Sequence, residues 1–311
     1  MKKDSKIFVA GHRGLVGSAI LRTLIEQGYT NIITRTRQDL NLLNQNNVKD
    51  FFEEEKPEYV FDAAARVGGI YANDTYSADF IYENIQIQTN LIHNSWKYGV
   101  EKFLFLGSVC IYPKFADVPV KEESLLTGFL EPTNDAYAIA KISGIKMLQA
   151  YHKQYGFKSV SLMPSNLYGP GDNFHPENGH VIPAMINKFN NSNGKNVIFW
   201  GDGTPMREFL YSNDLADACL FAMDYFENAD LVNVGSGCNV SIKELAETVA
   251  AVVGYDGEIG WDTSRPNGTP NRPLDYSKMS KLGWNSKHSL LSGIAKTYQW
   301  FIEHSSYENC K

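Results

Sequence analysis

The chain has 311 residues, enough to bury a large core in one domain or two closely joined ones. With 43% hydrophobic and 21% charged residues, a mean hydropathy of −0.30 and a formal net charge of −6, it has the make-up of a globular protein. Neither its charge nor any apolar run near the ~20 residues of a membrane helix marks it for nucleic acid or for membrane spanning. Cys110, Cys219, Cys238 and Cys310 show no metal-ligand spacing and no dense disulfide framework, and Met1-Lys2-Lys3-Asp4 leads into no signal-peptide core. A reduced, cytoplasmic protein without a resident metal is expected.

Ile7-Phe8-Val9-Ala10 is a short apolar run of the kind a buried parallel strand shows. Gly11-His12-Arg13-Gly14-Leu15-Val16-Gly17 follows, and then a helical stretch to about Gln27. Glycines at that junction let the backbone approach a pyrophosphate, and the helix N-terminus offers N–H groups at the positive end of its dipole. A glycine triplet alone also serves tight turns; the strand before it and the helix after it point to a dinucleotide. The second strand, Asn31 to Thr34, runs into Arg35-Thr36-Arg37-Gln38, where a NAD site would carry an acidic residue for the ribose 2′-hydroxyl. Arg37, with Arg13 from the glycine loop, suits a 2′-phosphate; the bland alternative is a solvated basic turn. NADP(H) is therefore expected in preference to NAD(H).

Tyr59-Val60-Phe61 leads into Asp62-Ala63-Ala64-Ala65, whose small residues suit close approach to a cofactor. Ala78 to Tyr98 reads as a long helix, and Phe103 to Leu106 as a strand broken by Gly107. Read as an extended strand end, the next segment turns Ser108 and Cys110 to one side. Tyr137 and Lys141, four residues apart on a helix continuing to about Tyr155, share a face. Val160 to Met163 is another strand. This alternation predicts an α/β fold with a doubly wound parallel sheet, a Rossmann domain for NADP over residues 1–165.

After Pro164 the segment from Asn166 to Gly179 is rich in turn formers. A helix over 183–190, a strand over 197–200, a turn over 201–205, the segment 207–210, and helices over 214–225, 242–253 and 291–301 follow. Residues 166–311 are expected to form mainly a smaller α/β substrate lobe, with the chain able to cross between lobes.

A tyrosine with a pKa of about 10 is a poor proton donor or acceptor at neutral pH. A lysine one turn away stabilises the tyrosinate and lowers that value, and it can also hold a nicotinamide ribose. A serine at the preceding strand end can polarise a carbonyl together with the tyrosine. Ser108, Tyr137 and Lys141 thus suit hydride transfer between nicotinamide and a carbonyl or alcohol, with Tyr137 delivering the proton. Tyr-x-x-x-Lys is commonly a solvated pair; its place after a glycine-rich loop and a strand-end serine favours chemistry.

In these features the chain resembles the extended short-chain dehydrogenase/reductase family. The loop Gly11 to Gly17, Ala63 to Ile70, Cys110-Ile111-Tyr112-Pro113-Lys114, Glu131-Pro132-Thr133-Asn134, Asn173-Phe174-His175-Pro176, His180-Val181-Ile182-Pro183 and Gly203 to Phe209 are similar to strings in family members that act on GDP-4-keto-6-deoxy sugars. The similarity runs from near residue 6 to about residue 302. It implies a GDP-sugar substrate, GDP-4-keto-6-deoxy-D-mannose, epimerised at C3 and C5 and then reduced by NADPH at the C4 ketone to GDP-L-fucose. Both protons lie α to the ketone, so Ser108 and Tyr137 could hold the enolate oxygen and later polarise the same carbonyl.

The resemblance further implies Cys110 as base and His180 as acid. A strand-end cysteine is otherwise a small buried hydrophobe, and a lone histidine a structural hydrogen-bonder. Beside the glycine loop, Arg37, Tyr137 and Lys141, it implies cofactor contacts at Leu106, Gly107, Pro164, Asn166, Leu167 and His180. Substrate contacts are implied at Asn166, Val181, Lys188, Trp200, Arg207, Asn267 and Arg272, with Trp200 at the guanine and Lys188, Arg207 and Arg272 at the diphosphate. A homodimer through the helices around 78–98 and 134–155 is also implied. Lys188 and Arg272 exchange the expected arginine and lysine, Asn267 replaces an aspartate, Val109 a serine, and Gly171 also departs, which leaves the exact sugar open.

Three alternatives remain at this point. One is a related epimerase/reductase or C4 reductase for another GDP-4-keto-6-deoxy sugar, such as a 6-deoxy-heptose. Another is a cofactor-binding domain without turnover, and the last a NAD-dependent nucleotide-sugar 4-epimerase or dehydratase. Cys110 with His180 speaks against a pure reductase, the intact Ser108–Tyr137–Lys141 set against an inert domain, and Arg37 against NAD.

Overall fold

Short apolar runs alternate with helices through the first half of the chain. The computed structural model describes residues 1–176, 179–265 and 272–308. In order come β1 (Ile7–Ala10), α1 (Leu15–Glu26), β2 (Ile32–Ile33), α2 (Gln45–Glu55), β3 (Tyr59–Asp62), α3 (Ile70–Thr75), α4 (Ser77–Lys97), β4 (Lys102–Leu106), α5 (Asp135–Tyr155) and β5 (Ser159–Pro164). The chain then leaves through β6 (Asn166–Tyr168), α6 (Val181–Asn190), β7 (Val197–Trp200) and β8 (Met206–Tyr211). It returns with α7 (Ser212–Tyr225) and β9 (Asn228–Val234), and ends with β10 (Asn239–Ser241), α8 (Ile242–Val253), β11 (Ile259–Asp262), α9 (Ser277–Lys281) and α10 (Leu290–Glu308).

Six strands form one parallel sheet in the order β2-β1-β3-β4-β5-β9. Side chains alternate across it as the pleat demands. Phe8, Val60, Phe103 and Phe105 pack beneath α2, α4 and α5, while Ile7, Val9, Phe61 and Leu104 pack beneath α1 and α7. Each buried side chain of this size contributes roughly 1.5–3 kcal/mol. From β1 the chain steps to β2 on one side and then back to β3 on the other. That reversal opens a crevice beyond the carboxyl ends of β1 and β3, where open α/β sheets bind ligands.

The second lobe has its own core of Ile182, Met185, Phe189, Phe199, Phe209, Leu245, Val249 and Ile294. A three-stranded sheet, β10-β8-β6, and a two-stranded one, β11-β7, lie in it with α6, α8 and α10. β8 runs directly into α7, which lies back on α1 and delivers β9 to the edge of the large sheet. β9 therefore belongs to the first sheet, and α7 to the layer of helices on it, although both follow the second lobe's strands.

Two local expectations change. The stretch 166–168, rich in turn formers nearby, is a strand because it pairs parallel with β8, Asn166 opposite Phe209. Ser108 to Cys110 is not an extended strand end. β4 stops at Leu106, and residues Val109–Ile111 form a single 3-10 turn whose first orphan N–H groups need a cap. Ser108 supplies it, its Oγ accepting the Cys110 N–H at 3.4 Å.

Gly17 sets the distance between α1 and the sheet. A Cβ there would lie 2.1 Å from the Gly11 carbonyl oxygen, whereas one at Gly14 would lie at an ordinary 3.4 Å. Overpacking of this kind costs about 1–3 kcal/mol. Gly17→Ala is expected to lower the urea unfolding midpoint clearly more than Gly14→Ala, and equal midpoints for the two variants would contradict this packing.

Candidate active site

The crevice at the switch point holds three connected chambers. The first, about 590 Å³, is walled by the glycine loop, residues 35–38 and residues 63–66. Gly11 takes φ +76°, and a Cβ on it would stand 2.6 Å from the Ala63 carbonyl oxygen, so only glycine lets β1 turn against β3 here. Gly14 is the N-cap of α1, which has no side-chain cap and no acidic residue in its first turn. The orphan N–H groups of α1 lie where this chamber meets the next, a ready anion site. Arg35 is engaged by Glu55 and Asp39 shapes the turn by accepting from the Thr36 N–H at 3.1 Å and hydroxyl at 2.7 Å. Arg13 and Arg37 stay exposed at the same mouth. This donor set fits a dinucleotide with a 2′-phosphate.

The second chamber, about 540 Å³, continues from Gly14 and contains Leu15, Val16, Leu106, Gly107, Ser108, Tyr137, Lys141, Pro164, Asn166, Leu167, His180 and Val181. Lys141 is buried, and its Nζ donates to the Leu106 carbonyl at 2.8 Å while lying 4.6 Å over the Phe105 ring. Burial pushes its pKa down, opposed by the charge of Asp62. Tyr137 rests edge-on against Phe80 at 6.2 Å. The expected lowering of its pKa is reversed, because burial pushes the phenol up. With Lys141 held by Leu106 and its Nζ 5.9 Å from the tyrosine ring centroid, the phenol stays protonated, the form a proton donor needs.

His180 precedes α6 at its N-cap and is half exposed to the second chamber. Its Nδ1 lies 3.2 Å from Asp172 Oδ1, and that hydrogen bond raises its pKa against the effect of burial. With Nδ1 held, Nε2 is left for the chamber. Asp172 was not singled out from the sequence: it stands in an irregular segment eight residues before the histidine, where no period links the two.

The third chamber, about 580 Å³, shares Ser108, Val109, Ser165 and Asn166 with the second and adds Cys110, Lys114, Glu131, Arg207, Glu208 and Arg272. Cys110 thus sits on one side of the Ser108 junction and His180 on the other. Burial pushes the Cys110 thiol up to about 11, only partly offset by Ser108, Lys141 and Arg272. Arg272 Nη2 donates to the carbonyls of Tyr112 at 3.2 Å and Pro113 at 2.6 Å, bracing the loop after Cys110. The strap carrying it is anchored by buried Asn233. That side chain accepts from the Tyr112 hydroxyl at 2.6 Å and donates to the Val120 and Asp275 carbonyls at 3.1 and 3.2 Å.

Not every sequence candidate converges here. Lys188 Nζ sits 5.5 Å over the Phe199 ring and Trp200 is 70% exposed, both outside the three chambers. β7 alternates, so Val197 and Phe199 face the core and Trp200 faces outward with the Arg265 guanidinium 5.2 Å over its ring. Asn267 lies outside the described residues.

Residues 7–235 match the NAD dependent epimerase/dehydratase family. A GDP-L-fucose synthase from Arabidopsis thaliana is 57% identical over 304 residues, spanning 97% of this chain and 94% of that protein. The GDP-L-fucose synthase of Escherichia coli (strain K12) is 51% identical over 310 residues, spanning 96% of this chain and 97% of its own. A solved GDP-mannoheptose C4 reductase from Campylobacter jejuni with NADP bound superposes with a TM-score of 0.89 at 40% identity, covering 97% of this chain and 99% of that one.

Proposed function

The chain belongs to the NAD dependent epimerase/dehydratase family, and from that premise we propose that it converts GDP-4-keto-6-deoxy-D-mannose to GDP-L-fucose with NADPH. The observation that carries this reading is the Ser108 junction: Tyr137, Lys141 and His180 line one side and Cys110 the other. A C4 ketone placed at the junction would reach the Ser108 and Tyr137 hydroxyls together. Those donors hold the oxygen as an enolate while a C3 or C5 proton is exchanged. Cys110 and His180, on opposite sides, remove and return protons on opposite faces, as inversion requires. NADPH, when bound, supplies the hydride for C4. Tyr137 then gives its proton to the resulting alkoxide, and Lys141 stabilises the tyrosinate left behind. Arg207 and Arg272 at the far wall suit the diphosphate.

A C4 reductase of another GDP-4-keto sugar is the second reading, favoured by the likeness to the GDP-mannoheptose reductase. The presence of both Cys110 and His180 at the chambers supports the epimerising reading. Among the described residues no helix is long and apolar enough to cross a membrane, and we place the enzyme in the cytoplasm as a homodimer. Tyr82 on α4 and Ile139 on α5, 64% and 42% exposed, support pairing through those helices.

Tyr137→Phe keeps the ring and removes the proton. It is expected to cut NADPH oxidation by about 10²–10⁴-fold while NADPH binding, followed by fluorescence, is retained. Turnover near the wild-type rate would show that another group protonates C4.

Epimerisation needs Cys110 as thiolate and His180 as imidazolium. Below the His180 pKa each pH unit gains tenfold thiolate, so C3 and C5 exchange rises about tenfold per unit. Between that value and the thiol's, about 11, thiolate gained cancels imidazolium lost and the rate is flat. Asp172→Asn removes the group holding His180 up. The plateau should then start at lower pH and sit lower, with the acid limb unchanged. An equal loss at every pH would mean that Asp172 serves only the local fold.

A further inference from the structure

Asp62 ends β3 and takes no part in the chemistry above, yet its carboxylate is 1% exposed at the edge of the site. Its register partners are Ala10 on β1 and Phe105 on β4, and partners in a parallel sheet face the same way. Asp62 therefore points to the α5 side, where the Lys141 ammonium lies 4.6 Å over the Phe105 ring. One carboxylate oxygen accepts the Ala64 N–H at 3.1 Å; the other is buried without a hydrogen-bond partner among the described residues. Lys141 in turn is 3% exposed and has donated one of its three protons, to Leu106.

We propose that Asp62 is the buried counter-ion of Lys141, a positioning residue that keeps the ammonium charged and aimed at Tyr137 during ketone reduction. An isolated ammonium this deep would shed its proton, and a neutral amine could not stabilise a tyrosinate. The charges that act on Lys141 are Asp62 from β3 and Cys110 from the 3-10 turn; Cys110 is a thiol at neutral pH, which leaves the carboxylate. Burial pushes Asp62 up, and Lys141 and the Ala64 N–H pull it part of the way back, to about 6, so the coupling runs both ways. Replacing a buried ion pair by apolar groups is often neutral or stabilising, whereas removing one partner is costly. A pair of this kind is thus a poor device for stability and a good one for holding a charge in place.

This assignment rests on the proposed reduction for its kinetics but not for its thermodynamics, and the two are tested separately. Thermal unfolding of the full chain at pH 8 is measured for wild type, Asp62→Asn, Lys141→Met and the double variant. Lys141→Met strands a buried carboxylate, so adding Asp62→Asn should raise the Tm above that of Lys141→Met alone. Single-variant losses that simply add in the double variant would overturn the pairing, whatever the enzyme's substrate. If Asp62→Asn does not fold, Asp62→Leu carries the same cycle. In the kinetic arm Asp62→Asn should lower kcat for NADPH oxidation at pH 8 about tenfold or more, and the deficit should shrink as the pH falls and Lys141 regains its proton. Reduction at the wild-type rate would overturn the functional part, and an inactive wild type would count against the reaction rather than the pair.

Discussion

A single bond, from Lys141 Nζ to the carbonyl of Leu106 at 2.8 Å, joins the helix that carries Tyr137 to the strand that ends before Ser108. Leu106 is the last residue of β4, so its carbonyl has no continuing ladder to join and would otherwise need water. The lysine satisfies it and in doing so fixes α5 in register with the strand end. Tyr137, one turn earlier on the same face, then lines the same chamber as Ser108. A buried ammonium makes this bond strong and also makes it conditional on charge. That condition is why a carboxylate at the end of the neighbouring strand matters.

The site lies where two separately built cores meet. The large sheet supplies the glycine loop, Ser108, Tyr137 and Lys141, the second lobe supplies His180 and Arg207, and the strap bearing Arg272, whose Leu274 packs in the first core, walls the third chamber. The lobes are bound by the path of the chain itself. β5 passes into β6 across one residue, β8 becomes α7 without a loop, and β9 returns to pair with β5. Buried Asn233 on β9 then ties the loop after Cys110 to the strap at 272–275. Proton traffic on two faces of a flat enolate needs groups from both sides, and the two-lobe arrangement provides them.

Much of this was legible in the residues. Apolar runs of four to six residues between helices gave the parallel sheet, and the glycine spacing gave the dinucleotide loop with its reason, since Gly11 and Gly17 stand where a Cβ cannot. Tyr137 and Lys141 share a face because helix geometry puts them there. Less legible was anything set by long-range contact. The strand 228–234 opens with Asn-Ala-Asp and returns from another lobe, so no local pattern ties it to β5. The short turn after Ser108 follows from a cap made at that serine. Asp62 reads as one polar residue before three alanines, and only the sheet register turns it to the side on which Lys141 lies. Trp200 on an apolar run pointed as readily to core or to a nucleotide pocket; the outward phase of β7 decides where it faces.

In the proposed reaction one oxygen-binding junction serves both proton exchange and hydride transfer. Incubation with GDP-4-keto-6-deoxy-D-mannose and unlabelled NADPH in D2O, followed by NMR of the product, tests it in one experiment. The expected product is GDP-L-fucose carrying deuterium at C3 and C5 and protium at C4. A reduced product without deuterium at either carbon would contradict it, leaving a C4 reductase in which Cys110 and His180 do no epimerisation.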